Sequence, residues 1–314
     1  EFLMNTKYYV RIDDAAGTIK VVIPATEDIK KCFVDIKTNA GASVTPASAT
    51  IYLMRLITLT TDWGNQGFYG GMVKGFLYDN LSDINVVDIT HDITPFYVQE
   101  AAFVVRNACL NFPKDTIHII DVNSYESTTM EYVVVKANEQ YFICTDNGLP
   151  ALVFKDMDVE IYGTEYIWAE REFYTFGVWE KFCEIAKILA TANTMETLGT
   201  KRLKFETMGR SMDDWRRDGD FIVCNVVFID SYGNVFLSIT KDDFLRELDG
   251  RKFELRLEIK KSITQIQSSY QDVSNGEPLL TVSVTNNLEL ALKEGDFARL
   301  LGYKVNREVR IKIL

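Results

Sequence analysis

Histidine is nearly absent: only His91 and His118 occur among the 314 residues. So few imidazoles, and no Ser or Cys set in a nucleophile turn, argue against a hydrolase of the Ser-His-Asp type. Cysteine is sparse too. Cys32, Cys109, Cys144, Cys183 and Cys224 are odd in number and widely spaced, without the paired short spacing of a metal site, so they read as buried free thiols in a reducing compartment. Positive charge is in deficit, 34 Lys and Arg against 45 Asp and Glu, a net charge of -11. That balance argues against a surface that tracks nucleic-acid phosphates and suits a small cationic or zwitterionic ligand. No apolar run approaches the roughly 18 residues of a membrane span. No signal-peptide pattern occurs either, and the expectation is a cytoplasmic protein with no membrane association.

What the chain does have is apolar content, 47% of its residues, enough for two packed cores. Residues 1–53 read as a β-rich appendage and linker. Lys7 to Ile12, Thr18 to Ile23 and Cys32 to Lys37 have strand patterns, and the Ala, Ser, Thr and Gly of Asn39 to Thr50 suit a linker. Residues 54–195 alternate strand and helix: strands at Leu56 to Thr61, Asn85 to Ile89 and Thr116 to Val122, helices at Tyr69 to Asn80 and Val98 to Phe112. Short connections in that order imply right-handed crossovers and a mostly parallel α/β sheet. Tyr132 to Lys136 and Gln140 to Cys144 add a hairpin, and a helix around Trp179 to Ala192 closes the domain. The polar run Thr194 to Arg217 reads as an interdomain connection. Residues 196–314 form the second domain, whose short strands after Asp220 fit a β-barrel or sandwich.

The chemistry concentrates at strand ends. In an open parallel sheet ligands bind beyond the carboxyl ends of the strands. Asp62 ends one strand and enters a Gly-containing turn, where it either accepts hydrogen bonds from two ribose hydroxyls or forms an Asx turn or helix cap. Asp88, Thr90 and His91 lie at the next strand end, while His118 reads as a satisfied core histidine. Phe96 follows Pro95 and is either a pocket wall or core packing. In the second domain, Asp230, Tyr232 and Asn234 sit on one turn, an ordinary hairpin unless a ligand uses it. A buried ammonium needs a charged acceptor and a purine needs a flat apolar partner, both of which that turn offers.

Four segments resemble one family. Thr-Asp-Trp-Gly at 61–64, Tyr-Gly-Gly-Met-Val-Lys-Gly at 69–75, Val-Asp-Ile-Thr-His at 87–91 and the Asp230 to Asn234 turn are similar, in order, to motifs of the S-adenosylmethionine hydrolase and halogenase family. That family comprises the hydroxide adenosyltransferases with the fluorinase and chlorinase. The stretch Leu288 to Gly302 resembles its closing motif, so the likeness runs over about 54–314. It implies an N-terminal α/β domain and a C-terminal β-barrel-like domain, with S-adenosylmethionine as substrate, no cofactor or metal, and a homotrimer with intersubunit sites. By the same resemblance Asp62 holds the ribose and Trp63 takes a usual Phe or Leu position. Phe96 and Phe176 match substrate-pocket aromatics, Asp230 receives the methionine ammonium, Tyr232 packs on adenine and Asn234 reads its edge.

The departures bear on the reaction. Where the family hydrolases show Asp-Pro-Gly-Val-Gly-Thr after the third strand, this chain has Asn123 to Thr128. Asn123 joins the substrate-binding set, and Glu126 is the carboxylate of this loop that could accept a proton from water. Asp88 matches the Asp associated with the hydrolases, whereas their Arg position holds Pro95. Thr175 to Glu180 and Ser283 to Asn287 also depart. The tight turn Ala137 to Gln140, in place of the fluorinase's long insertion, favours hydrolysis to adenosine and L-methionine, with Asp88 and Glu126 as catalytic residues. Halogenation comes second, and a non-catalytic adenosyl-ligand receptor is the alternative class. A methyltransferase is weaker still, because no Gly-x-Gly-x-x-Gly follows a strand.

Overall fold

The computed structural model describes residues 9–13, 18–24, 52–125, 131–164, 177–192, 194–205 and 215–314. The expected strand at Cys32 to Lys37, the linker, Glu126 and Phe176 lie outside the described residues. Two units separate by contact: 1–96, 108–150 and 154–205 in the first, and 97–107, 151–153 and 206–314 in the second.

The first unit is organised by the strand β3 (Tyr52–Thr61), which follows the hairpin β1 (Tyr9–Asp13) and β2 (Thr18–Pro24). After β3 the chain runs through α1 (Tyr69–Asn80), β4 (Ile84–Thr90), α2 (Val98–Ala108), which up to residue 107 is counted with the second unit, β5 (Ile117–Asp121), β6 (Tyr132–Ala137) and β7 (Gln140–Thr145). Then follow α3 (Leu149–Val153), β8 (Glu160–Thr164), α4 (Val178–Ala192) and β9 (Gly199–Arg202). The nine-stranded sheet runs β1-β2-β3-β5-β7-β6-β8-β9, with β4 also on β3. β2, β4 and β5 pair with β3 in parallel, and β7 pairs with β5 in parallel; β6, β8 and β9 extend the sheet antiparallel. Central strands covered on both faces read as apolar runs, and every residue of β5 is buried. One face packs Ile57, Leu59, Ile117 and Ile119 against Val73 and Leu77 of α1 and Phe182 and Ile185 of α4.

Two expectations change. The helix read as Val98 to Phe112 stops at Ala108 and ends in a 3-10 turn, Cys109–Asn111. The segment read as a connection contains β9, paired with β8 through Ile161 and Arg202. β9 is Gly-Thr-Lys-Arg, an edge strand without apolar alternation, and charge on an edge is how sheets avoid further pairing.

The second unit is an antiparallel sheet of eight strands. They are β10 (Arg216–Asp218), β11 (Phe221–Ile229), β12 (Val235–Thr240), β13 (Phe253–Arg256), β14 (Ser262–Ile263), β15 (Pro278–Val282), β16 (Asn287–Leu292) and β17 (Glu308–Ile313). The order β14-β13-β17-β11-β12-β16-β15, with a bridge from Ile266 to Leu280 joining its ends, makes a nearly closed barrel. Val226, Val235, Leu237, Leu288, Leu290 and Ile311 fill it. The helix α5 (Lys241–Leu248) starts at Thr240, whose hydroxyl accepts the Asp243 amide at 3.1 Å, and buries Phe244 and Leu248. A short α6 (Phe297–Leu301) is capped by Asp296. Cys109, Cys144, Cys183 and Cys224 are buried and free, as expected, and burial pushes the Cys109 thiol up to about 12.

Candidate active site

Register brings the first unit's strand ends level. Thr61 of β3 lies opposite Asp121 of β5, and Thr60 lies opposite Thr90 of β4. The residues just beyond, Asp62 and Asn123, therefore emerge side by side. Asp62 Oδ2 accepts the backbone N–H of Asn123 at 3.1 Å and that of Phe96 at 2.9 Å. Both donors have left-handed backbone, φ +49 at Asn123 and +71 at Phe96. A non-glycine residue is held there only when its surroundings over-determine it, and one carboxylate oxygen supplies part of that constraint for two loops. Asp62 thus caps neighbouring loops rather than its own turn. Its Oδ1 has no hydrogen bond among the described residues. Phe96 is 73% exposed, so its ring is no part of the core.

Asn147 anchors the loop that carries Asn123, donating from Nδ2 to the carbonyls of Val122 and Asn123, each at 3.1 Å. Thr145 Oγ1 donates to Ser124 Oγ at 2.7 Å. Between these groups lies Asp121, only 4% exposed. Burial drives its carboxyl from the ordinary 3.8 to about 7, a hydrogen bond from Ser124 opposes this, and the negative Asp62 adds to it. A buried carboxyl titrating near neutrality beside a second carboxylate, at the carboxyl end of a central strand, is a functional-site signature. No motif in the sequence singles out Asp121. The available signal was a lone acid closing the strand Ile117 to Ile120, which is apolar except at His118.

Asp88 is placed differently. It lies opposite Leu59 within β4, with one oxygen on Lys74 Nζ of α1 and the other 3.2 Å from His91 Nε2. His91, 6% exposed, shares a 2.7 Å hydrogen bond between Nδ1 and Thr61 Oγ1. Trp63 stacks on the His91 ring, centroids 5.9 Å apart and planes 12° apart, and meets Tyr69 edge-on at 6.4 Å. His118 is a core residue: Nδ1 is 2.7 Å from Thr58 Oγ1, the ring stacks on Phe142 at 4.5 Å, and burial lowers its pKa to about 3. Its Nε2 has no hydrogen-bond partner among the described residues, so it is satisfied on one side only.

In the second unit Asp230 builds its own turn. Oδ1 accepts the amides of Tyr232 and Asn234, both at 2.9 Å, and Oδ2 accepts Asn234 Nδ2 at 3.0 Å. An ionised carboxylate has about four acceptor positions, so one remains on Oδ2. Asn234, expected to read a purine edge, has its side-chain amide tied back to Asp230. Tyr232 is 78% exposed. Gly233 has φ +81, and a Cβ there would stand 2.0 Å from Asp296 Oδ1, so the turn lies hard against the cap of α6. The Ala298 amide donates to the Gly233 carbonyl at 3.0 Å. A cleft of about 440 Å³ opens beside the turn, lined by Ile229, Asp230, Ser231, Asp296, Arg299 and Tyr303. Nearby, Tyr270 donates its hydroxyl to the buried Glu289. Burial raises the Glu289 carboxyl, the Tyr270 bond lowers it, and the Asp230 charge raises it further. Among the described residues, no group of three His, Cys, Asp or Glu is placed to hold a metal ion.

Known proteins carry the same two parts. The family model for the SAM hydroxide adenosyltransferase N-terminal domain matches residues 57–199, and that for the C-terminal domain matches 224–310. The (R)-S-adenosyl-L-methionine hydrolase of Methanocaldococcus jannaschii is 23% identical over 251 residues, 74% of this chain and 89% of that protein. The protein of the same name from Salinispora tropica is 24% identical over 260 residues, 81% of this chain and 97% of its own. Among solved structures, an uncharacterised conserved protein from Thermotoga maritima superposes with a TM-score of 0.71 at 27% identity, covering 82% of this chain and 99% of that one. A conserved hypothetical protein from Thermus thermophilus shares the fold, TM-score 0.63 at 19% identity, over 83% of this chain and 100% of its own. With both domain models matched in order across most of its length, the chain belongs to the SAM hydroxide adenosyltransferase family.

Proposed function

We propose that this protein hydrolyses S-adenosylmethionine at the ribose 5'-carbon, giving adenosine and L-methionine, with the (R) epimer named for its relatives as substrate. The observation that carries this reading is the carboxylate pair at the strand ends, Asp62 beside the buried Asp121. The two have different environments and take different roles. Asp62, its Oδ2 engaged by two amides, offers Oδ1 to the ribose hydroxyls. Asp121, titrating near neutrality, accepts the proton of the attacking water.

The electron accounting is simple. A water oxygen bonds to C5', the C5'–S bond breaks with its electron pair on sulfur, and methionine leaves as a neutral thioether. The water proton passes to Asp121 and then to solvent. Displacement of a sulfonium in line needs chiefly alignment and removal of competing water. Asp88 is given a different part from the one expected, because its oxygens already face Lys74 and His91. Two carboxylates at the strand ends also disfavour an incoming halide, which supports water over halogenation.

Asp230 keeps the role of ammonium acceptor through its remaining lone pair, with Tyr232 as the flat partner for adenine. The site is shared between neighbouring subunits of a homotrimer, and the reaction uses no cofactor. The test is incubation of the purified protein with S-adenosylmethionine in the presence and absence of excess chloride, with mass analysis of the nucleoside. Adenosine in both conditions supports the reading, 5'-chloro-adenosine as main product replaces it with halogenation, and no nucleoside in either leaves a binding protein. Light scattering that finds a monomer still able to bind the substrate overturns the shared site.

A further inference from the structure

His91 is buried, has one nitrogen facing a charged pair, and has no part in the reaction just described. Its contacts converge on a single short segment. Nδ1 is bonded to Thr61 Oγ1 at 2.7 Å, the residue before Asp62. Its ring lies stacked on Trp63, the residue after. Its carbonyl accepts the amide of Gly64 at 2.7 Å. Asp62 is thus flanked by three residues that all lean on His91.

From behind, the ring is held as firmly. A Cβ on Gly70 of α1 would come within 3.2 Å of Nε2, so the helix backbone closes directly on the imidazole. Nε2 is also 3.2 Å from Asp88, whose other oxygen meets Lys74 of the same helix. Gly70 and Lys74 of α1, Asp88, His91 and Thr61 therefore form one line of close contacts from the helix to the turn that carries the acid, in which His91 Nε2 approaches Asp88 without a hydrogen bond among the described residues. A binding carboxylate is effective only when its supporting groups hold it within fractions of an ångström.

We propose that His91 is a positioning residue that fixes the Asp62 turn and so sets the selectivity of the site for an intact ribose over a 2'-deoxyribose. The inference rests on the reading of Asp62 as the ribose acceptor. A carboxylate oxygen held in one place accepts from both hydroxyls of the diol; a carboxylate on a loosened turn keeps one partner and loses the advantage of the second. Selectivity, rather than affinity alone, is what should fall.

The experiment compares kcat/KM for S-adenosylmethionine and its 2'-deoxyribosyl analogue in the full-length protein. His91→Phe keeps a ring for Trp63 and loses the bond to Thr61. Thr61→Val removes the same bond from the other side, and His91→Asn restores an amide near the Nδ1 position. The preference for the intact ribose should drop about tenfold in His91→Phe and Thr61→Val, the effect of one ordinary hydrogen bond, and recover most of that loss in His91→Asn. Combined with Asp62→Asn, His91→Phe should cause no further loss of preference, since both act through one carboxylate. Wild-type preference in Thr61→Val and His91→Phe overturns the inference, and if His91→Phe does not fold, wild-type preference in Thr61→Val alone does so. Wild-type preference in Asp62→Asn instead overturns the ribose reading of Asp62, a separate outcome.

Discussion

Replacing Asp121 with asparagine tests the site through stability as well as activity. In the unfolded chain this carboxyl titrates at its ordinary 3.8, and burial holds it at about 7 in the native protein. Below about pH 4 both states are protonated and Asp121 makes no pH-dependent contribution. Between about 4 and 7 the unfolded chain releases the proton while the native protein retains it, so stability is lost as pH rises. Above about 7 the loss is complete. The gap of about three pH units, at about 1.36 kcal/mol each, sets the full penalty near 4 kcal/mol. A side-chain amide is never charged, so Asp121→Asn should match wild type near pH 4 apart from a constant offset, and exceed it by a few kcal/mol at pH 8. Urea unfolding at several pH values, followed by the fluorescence of Trp63 and Trp179 in the first unit, measures the difference. Catalysis should move the other way. Wild-type kcat/KM should rise with pH through about 7 as Asp121 becomes a base, and the variant should lose about a hundredfold or more together with that limb. A stability difference that is the same at pH 5 and pH 8 would refute the buried, neutral Asp121. An unchanged rate profile would remove it from the mechanism.

Asp230→Asn should weaken S-adenosylmethionine by about 2 to 5 kcal/mol while leaving adenosine little changed, because only the former carries an ammonium; equal losses by calorimetry would assign Asp230 to the turn alone. Gly233→Ala should destabilise the second unit by about 2 kcal/mol or more, since it adds a Cβ at φ +81 against Asp296. Urea unfolding within about 0.5 kcal/mol of wild type would contradict that packing. Cys109, Cys144, Cys183 and Cys224, all buried, should resist a thiol reagent in the native protein and react on unfolding; rapid native labelling at any of them would contradict its burial.

How much of this could be read without coordinates follows a pattern. The bounds of α1 were legible to the residue, because Tyr69 to Asn80 is delimited by a Gly-rich turn and by the next apolar strand. The alternation of β3, α1, β4, α2 and β5 was legible because β3 and β5 are largely apolar runs, β4 is rich in Ile and Val, and short loops leave one direction of crossover. β9 was not, because a polar edge strand is defined by the partner that lends it hydrogen bonds and carries no pattern of its own. The short helix α3 was hidden likewise, five residues being too few for a periodicity to declare itself.

The site divides along the same line. Sequence alone determined the inventory: carboxylates at successive strand ends, a hairpin turn carrying Asp230, Tyr232 and Asn234, two histidines and a net negative charge. Tertiary structure decided which acid does what. Motif order singled out Asp88 and passed over Asp121, and only strand register set Thr61 across from Asp121 and left Asp88 further back, opposite Leu59 and against Lys74. Burial then set Asp121 apart: at 4% exposure its carboxyl holds its proton to near neutral pH, whereas Asp88 lies against Lys74. Side-chain type is written in the chain, but the dielectric and the neighbours that fix its proton belong to the fold.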